Sequence, residues 1–203
     1  MKTSLTRITV LLTALSTAAC TVLPRPEPPR VMDLAAASSQ PKHENLLPVS
    51  LRINTPLASD PVDSSAILLK PTAYEFQAYQ KARWRDSAPV LVRDHLARHL
   101  RNSGGFRNVV IDTSATNTEH ALLTELSAFQ VEQSGNTYQV ILELHAEVIS
   151  EQSGSSLCVR NWSIQEMAAS SVLESAVEAF SRASNTLASE LTQWAWSCVQ
   201  RAQ

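Results

Sequence analysis

Apolar and polar positions alternate along several stretches of the chain, and this two-residue period predicts β-strands. The clearest case is TYQVILELHAEVIS, where apolar side chains from Val140 to Val148 alternate with polar ones. HALLTELSAFQVEQ precedes it across the turn-forming residues 134–136, so the two segments predict a long hairpin. Shorter strands are expected at 49–54, 66–70, 73–79, 106–111 and 155–166.

A helical period replaces the alternation after residue 87. Apolar side chains recur every four residues at Val92, Leu96 and Leu100, and Pro89 suits a first helical turn. Gly104 and Gly105 follow, and glycine commonly ends a helix. These features predict a helix over 88–102, with Asp86 and Ser87 offering capping oxygens.

The last part of the chain predicts a second helix, over 172–200, because its large apolar side chains fall along one side. The predicted order is therefore β, β, β, α, β, β, β, β, α. It indicates an α+β fold, with a mostly antiparallel sheet and two helices packed on one face. The other face of that sheet must contact water or a partner.

The N-terminus has the layout of a secretory signal peptide. Lys2 and Arg7 precede a short apolar run and the small residues 16–19, and the run is too short to span a bilayer. The stretch TAAC resembles the lipobox of bacterial lipoproteins, in which the cysteine is lipidated with acyl chains such as palmitate. We therefore expect cleavage of residues 1–19 and a lipid on Cys20. The alternative is a secreted protein with an incidental cysteine.

Residues 20–48 are predicted to be a lipidated N-terminus and a proline-rich tether, because they are rich in proline and show no sustained period. Such a segment reaches about 90 Å when fully extended. The residue after Cys20 is Thr21 rather than aspartate, which by resemblance to sorting in enteric bacteria favours the outer membrane. A single folded domain is expected from 49 to 203.

Composition narrows the functional classes. The chain has a net charge of −2, and removing Lys2 and Arg7 with the leader makes it more acidic. Nucleic-acid binding calls for a strongly basic face, which is not evident here. Only 4 glycines are present, which argues against a glycine-rich phosphate cradle.

Candidate catalytic and metal-binding residues are few. The sequence contains neither a G-x-S-x-G nucleophile motif nor a P-loop. His95 and His99 are spaced as zinc ligands can be, but HLARH lacks the glutamate of H-E-x-x-H enzymes. We interpret them as half-exposed surface histidines, and His145 as part of a solvated strand face. No enzyme activity, cofactor or metal is predicted.

Two further cysteines suggest a disulfide. If Cys20 is lipidated, Cys158 and Cys198 remain in an oxidising compartment. Cys158 falls on the last predicted strand and Cys198 on the apolar side of the last helix. A bond between them would fix the helix to the sheet, whereas the alternative is two buried free thiols.

An ordered set of residues between 57 and 110 carries a family resemblance. A pair of strands is followed by an aromatic residue, then by ARW before a proline-bearing helix that ends near SGGF. The residues that fill these places are Tyr79, Ala82, Arg83, Trp84, Pro89, Leu96, Leu100, Ser103, Gly104 and Phe106. With the closing helix and Cys20, the chain resembles the ABC-type transport auxiliary lipoprotein family, the PqiC-like group.

The resemblance implies a non-enzymatic lipoprotein, anchored in the outer membrane and facing the periplasm. Partners in this family are MCE-type lipid transport systems, with a periplasmic MCE subunit, a permease and an ATPase. The protein would bind or brace the MCE subunit, and self-association is left open. The alternative is a lipoprotein that assists assembly of another envelope machine; a lipid-anchored hydrolase would need a nucleophile that the sequence does not show.

The stretch ARWRD supports two interpretations. Trp84 either packs in the core where a strand meets the first helix, or joins Arg83 and Arg85 in a partner-binding surface. Tryptophan and arginine are enriched at binding hot spots, which favours the second interpretation. The position of Trp84 just before a helix cap favours the first.

Overall fold

The computed structural model describes residues 27–37 and 42–203. Within them the chain forms strands and helices in this order: β1 (Arg30–Met32), β2 (Leu47–Ile53), β3 (Leu68–Thr72), β4 (Glu75–Ala78), β5 (Ala82–Trp84), α1 (Ala88–Asn102), β6 (Phe106–Ile111), β7 (His120–Ser134), β8 (Thr137–Ser150), β9 (Ser156–Ala168) and α2 (Leu173–Arg201). None of the described helices is long and apolar enough to cross a membrane.

The long strand β7 organises the main sheet. Along one edge it pairs with β2 through its first part and with β3 through its later part, both in parallel. Along its other edge it pairs antiparallel with β8, which pairs antiparallel with β9. Across the sheet the strands follow the order β4-β3-β7-β2-β6, and β8 and β9 extend the sheet from the other edge of β7.

The predicted α+β class with helices packed on a sheet is confirmed. The sheet is more mixed than expected, because β2 and β6 are parallel to each other, and the connection between them runs through β3, β4, β5 and α1. Parallel neighbours need such a crossover, whereas β7 and β8 need only the two residues Gly135 and Asn136. Gly135 has φ +59°, as a tight hairpin turn requires.

Helix α1 begins and ends where the sequence predicts. Val92, Leu96 and Leu100 are all buried, which confirms the apolar side. Ser87 is the N-cap residue, but its side chain makes no capping hydrogen bond; its backbone N–H instead donates to Asp86 Oδ1. At the other end Gly104 has φ +67°, a conformation that glycine adopts without strain.

The tether prediction is wrong for part of residues 20–48. β1 pairs in parallel with β5, so Arg30–Met32 belong to a small second sheet. Leu34 and Leu47 are buried in the same core as the main sheet. An extended, proline-rich segment can supply a short edge strand, and Leu34 then gains hydrophobic burial that composition alone does not reveal.

Candidate functional site

Cys20 and the leader 1–19 lie outside the described residues. The lipidation of Cys20 therefore stays a prediction.

Trp84 is a core residue. It is the last residue of β5, has no exposed surface and contacts two other aromatic side chains. Its ring centroid lies 5.2 Å from that of Phe180 and 5.7 Å from that of Phe129. The interpretation that Trp84 forms part of a partner surface is therefore wrong, because a side chain without exposed area cannot contact a partner.

Arg85 holds the N-terminal segment against α1. Its Nε lies 3.0 Å from Asp33 and its Nη2 lies 2.9 Å from Asp94. Burial alone would raise the pKa of Asp94, but hydrogen bonds from Arg85 and Arg93 outweigh it and lower that pKa. Arg83 donates to the backbone carbonyl of Trp84 and is half-buried, so its role as a partner contact stays a prediction.

His95 and His99 are not surface residues, contrary to the sequence interpretation. They are 2% and 4% exposed, because α2 packs over the face of α1 that carries them. Both Nε2 atoms hydrogen-bond to Asn185 Oδ1, at 3.0 and 3.2 Å, and the two rings lie 4.8 Å apart. Nothing in the pattern of α1 signals this contact, since Asn185 lies 86 residues beyond His99.

Burial disfavours the protonated form of both histidines. Burial, followed by the proximity of His99, lowers the pKa of His95 to about 4. The pKa of His99 is lowered for the same first reason. Both rings are therefore neutral at pH 7, as donors to the Asn185 oxygen.

Asn185 also fastens the N-terminal segment to α2. Its Oδ1 accepts the backbone N–H of Ala37 at 3.1 Å, and its Nδ2 donates to the carbonyl of Ala35 at 3.1 Å. The backbone N–H of Ala35 donates to Ser181 Oγ, one turn earlier on the same helix. A single amide thus joins α1, α2 and residues 35–37.

A second contact fastens the chain just after residue 41. The ring of His43 stacks on Trp196, with centroids 4.6 Å apart, and Trp196 Nε1 donates to the carbonyl of Asn45. Gly105 makes room for this stack, since a Cβ there would lie 2.7 Å from both rings. We call the contacts of Ala35, Ala37, His43 and Asn45 with α2 the N-terminal latch.

A disulfide joins Cys158 on β9 to Cys198 near the end of α2, with the Cα atoms 6.1 Å apart. Cys198 is buried in the core, and Cys158 packs against it. The bond closes a sequence separation of 40 residues. It therefore fixes the C-terminal half of α2 to the sheet, as the sequence analysis expects of this pair.

A cleft with a volume of about 660 Å³ lies between α1, α2 and β9. Its charged lining residues, Arg160 and Glu190, pair with each other at 3.5 Å. None of its three serines hydrogen-bonds to either of its two histidines: Ser103 Oγ donates to the carbonyl of Leu100, His99 bonds to Asn185, and His43 stacks on Trp196. The cleft therefore presents no activated nucleophile.

The sheet face opposite the helices is open and acidic. Along β7 and β8 the side chains that point away from the buried Leu142 and Leu144 include Glu125, Glu143 and Glu147. Among the described residues none of these three carboxylates forms an ion pair. His145 shares this face and hydrogen-bonds to Asn161 at 2.7 Å, as a solvated strand face predicts.

Metal chemistry has no evident place in the described part of the chain. No group of three or more histidine, cysteine, aspartate or glutamate side chains there is arranged to hold a metal ion. The clusters that the fold brings together are instead a buried aromatic core, the N-terminal latch and an open sheet face.

Comparison with known families decides the classification. The family model described as "ABC-type transport auxiliary lipoprotein component" matches residues 32–192. The chain belongs to this family. Its members are auxiliary lipoprotein components of ABC-type transport, and the family is not a known enzyme family. No curated protein sequence matches the chain.

Solved structures share the fold of this auxiliary lipoprotein. A Xanthomonas campestris protein of family DUF330 superposes with a TM-score of 0.72 at 20% identity, covering 86% of this chain and 96% of that one. An uncharacterized protein gives 0.64 at 10% identity, covering 82% and 98%. A hypothetical protein from Chlamydia trachomatis gives 0.51 at 8% identity, covering 75% and 98%. At these identities the likeness concerns the fold alone.

Proposed function

We propose that this chain is the outer-membrane-anchored, periplasmic lipoprotein subunit of an MCE-type ABC lipid transport system, and that it binds the periplasmic MCE subunit. The observation that carries the proposal is the family match over residues 32–192. The permease and ATPase of the same system are then indirect partners.

The position of strand β1 determines how far the domain stands from the membrane. Because Arg30 already belongs to β1, only residues 21–29 separate the folded domain from a lipid on Cys20. A fully extended chain spans at most about 3.5 Å per residue, so this segment bridges about 35 Å. The domain therefore stays near the membrane surface, and the MCE subunit must extend across the periplasm to meet it.

The open sheet face is the surface we propose for that meeting. The helices cover the other face, while Glu125, Glu143 and Glu147 stand on this one without cationic partners among the described residues. A basic surface on the partner would complement them, and complementary charge speeds association and fixes orientation. Arg83 is a second, separate candidate contact.

Co-purification tests the proposal. The tagged full chain should capture an MCE subunit from detergent-solubilised envelopes, and the double variant E143K/E147K should weaken that capture at unchanged melting temperature. The matched control is E75K/E178K, which reverses two exposed carboxylates on β4 and α2, outside the open face. The variant R83S tests whether Arg83 makes a separate contact with the MCE subunit.

The outcomes separate the candidate functions. If the unsubstituted chain captures a different outer-membrane assembly machine and no MCE subunit, the alternative of an envelope-assembly lipoprotein replaces the proposal. If the MCE subunit is captured equally by E143K/E147K and E75K/E178K, the system is right but the proposed surface is wrong.

A further inference from the structure

Strand β9 leaves a long free edge on the sheet. It runs for 13 residues and, in the described part of the chain, pairs with β8 alone. The sheet's other outer strands, β4 and β6, have only 4 and 6 residues. A free edge presents unpaired backbone N–H and C=O groups, and proteins commonly block such edges with proline, lysine or very short strands. β9 contains neither proline nor lysine.

The side chains of β9 are symmetric about Ser163. Its two charged residues, Arg160 and Glu166, lie three positions to either side. The exposed apolar residues Val159 and Met167 lie four positions to either side, 53% and 52% exposed. Asn161 and Gln165 lie two positions away, and Trp162 and Ile164 one position away.

We propose that a second copy of this chain pairs with the β9 edge, antiparallel and about a two-fold axis at Ser163. In this register Arg160 of each copy lies opposite Glu166 of the other, and each Val159 lies opposite a Met167. Opposite charges and apolar pairs directly across an antiparallel ladder stabilise it. The two exposed apolar side chains then cover each other on the open face.

Other registers lose these matches. Shifting the axis by one residue, to Trp162, places Arg160 opposite Ile164 and leaves both charged side chains without an opposite charge across the strand. Because side chains alternate between faces, an odd offset between the two strands also sets helix-side residues against open-face residues. The arrangement centred on Ser163 avoids both penalties, and an isologous two-fold contact of this kind closes on itself as a dimer.

The contacts already made by the charged residues are compatible with this pairing. Arg160 pairs with Glu190 at 3.5 Å and Glu166 pairs with Arg182 at 3.4 Å, and these side chains keep between 29% and 50% exposure. Arg182 also donates to the carbonyl of Met167, so this one acceptor of the β9 edge would be shared between Arg182 and the partner strand. All of them lie on the helix side of the sheet, so the Arg160–Glu166 contacts between copies would extend two short charge networks.

Cysteine cross-linking of the full chain in detergent tests the register. In the proposed dimer Ser163 lies opposite its own counterpart, with Cα atoms about 5 Å apart, within the reach of a disulfide. S163C should therefore give a covalent dimer under mild oxidation. Q165C is the matched control, because Gln165 is equally exposed on the same face but lies opposite Asn161. The two copies of residue 165 would be about 14 Å apart, too far for a disulfide.

Two further samples complete the test. Mixed N161C and Q165C chains should cross-link to each other, because these positions face each other across the ladder. The unsubstituted chain controls for dimers formed through Cys20. The proposal is overturned if S163C and Q165C cross-link to the same extent, or if neither does. It is also overturned if S163C in intact envelopes joins a different protein and not its own copy, since the edge then accommodates another partner.

Discussion

The ring of Phe180 stands at 90° to the indole of Trp84, with the two centroids 5.2 Å apart. Trp84 ends the short strand β5, and Phe180 lies on α2, so this edge-to-face contact joins the small second sheet to the helical layer. Phe129, on β7, completes the group with its ring 4.6 Å from that of Phe180. Three layers of the fold meet at these side chains.

Truncation of Trp84 should therefore strongly destabilise the fold. Trp84→Ala removes a fully buried indole and should lower the free energy of unfolding by about 3–5 kcal/mol, measured by urea denaturation. Trp84→Phe keeps an aromatic ring in the cluster and should cost clearly less. The double variant R83S/R85S should change stability by less than W84A. An equal loss for W84A and the arginine variant would contradict this assignment.

The buried histidines predict a loss of stability in acid. His95 has a pKa lowered to about 4 in the folded state, whereas an unfolded histidine titrates near 6.5. Below pH 6.5 the unfolded chain binds the proton more readily, so stability present above 6.5 is lost as the pH falls towards 4. His95 alone accounts for about 3 kcal/mol of that loss.

Urea denaturation between pH 4 and pH 8 measures this effect. The variant H95Q/H99Q cannot take up these protons and should show a flatter dependence over the same range. Arg98 and Asp33 also act on His95 and are unchanged in this variant. If the free energy of unfolding falls equally steeply with decreasing pH in both proteins, groups other than these histidines cause the acid sensitivity.

Asn185 should control the order of the N-terminal segment. Asn185→Ala removes the acceptor of the Ala37 N–H and of both histidines, and leaves buried donors without partners, which costs about 1–3 kcal/mol. We expect faster hydrogen exchange at the amide of Ala37. Asn102→Ala, at the exposed end of α1, is the control and should leave that rate unchanged. Unaltered exchange in both variants would show that the latch does not depend on Asn185.

Removing the disulfide should loosen the end of α2. For a separation of 40 residues, the chain-entropy estimate of its contribution is about 4 kcal/mol. Reductant should lower the melting temperature of the unsubstituted chain, while C158A/C198A should melt low with and without it. Mass spectrometry of non-reduced protein should find the two cysteines in one linked peptide pair. Free, alkylatable thiols at both positions would refute the bond.

The lipid anchor is tested at Cys20. Cys20→Ala should accumulate as an uncleaved precursor or appear in the soluble periplasmic fraction, because no cysteine remains to be lipidated. Fractionation with an antibody to the folded domain makes the measurement. A variant that is processed normally and stays in the outer membrane would show that another feature anchors the protein.

The sequence predicts best where a local pattern and the tertiary contacts agree. Helix α1 occupies 88–102 as predicted, because its apolar side and its proline and glycine boundaries all indicate the same element. The β7–β8 hairpin is likewise clear from its alternation. Strands β1 and β5 have three residues each and no period, so only their pairing with each other makes them strands.

The latch shows what local patterns cannot reveal. His95 and His99 look half-exposed on a wheel of α1 alone, and only the packing of α2 buries them. Asn185 stands among alanine, serine and leucine residues on α2, with no motif to single it out. Its partners are between 86 and 150 residues away along the chain. For Trp84 the sequence allows both a core role and a partner-binding role. Only its complete burial in the structure decides for the core.

The latch also constrains the order in which the fold assembles. The latch contacts of Ala35, Ala37, His43 and Asn45 all need residues of α2, the last helix. Until α2 is available the latch cannot form, although β1 can already pair with β5. Contacts of such long sequence separation form late in folding. The latch therefore closes late, once α2 has packed on the sheet and on α1.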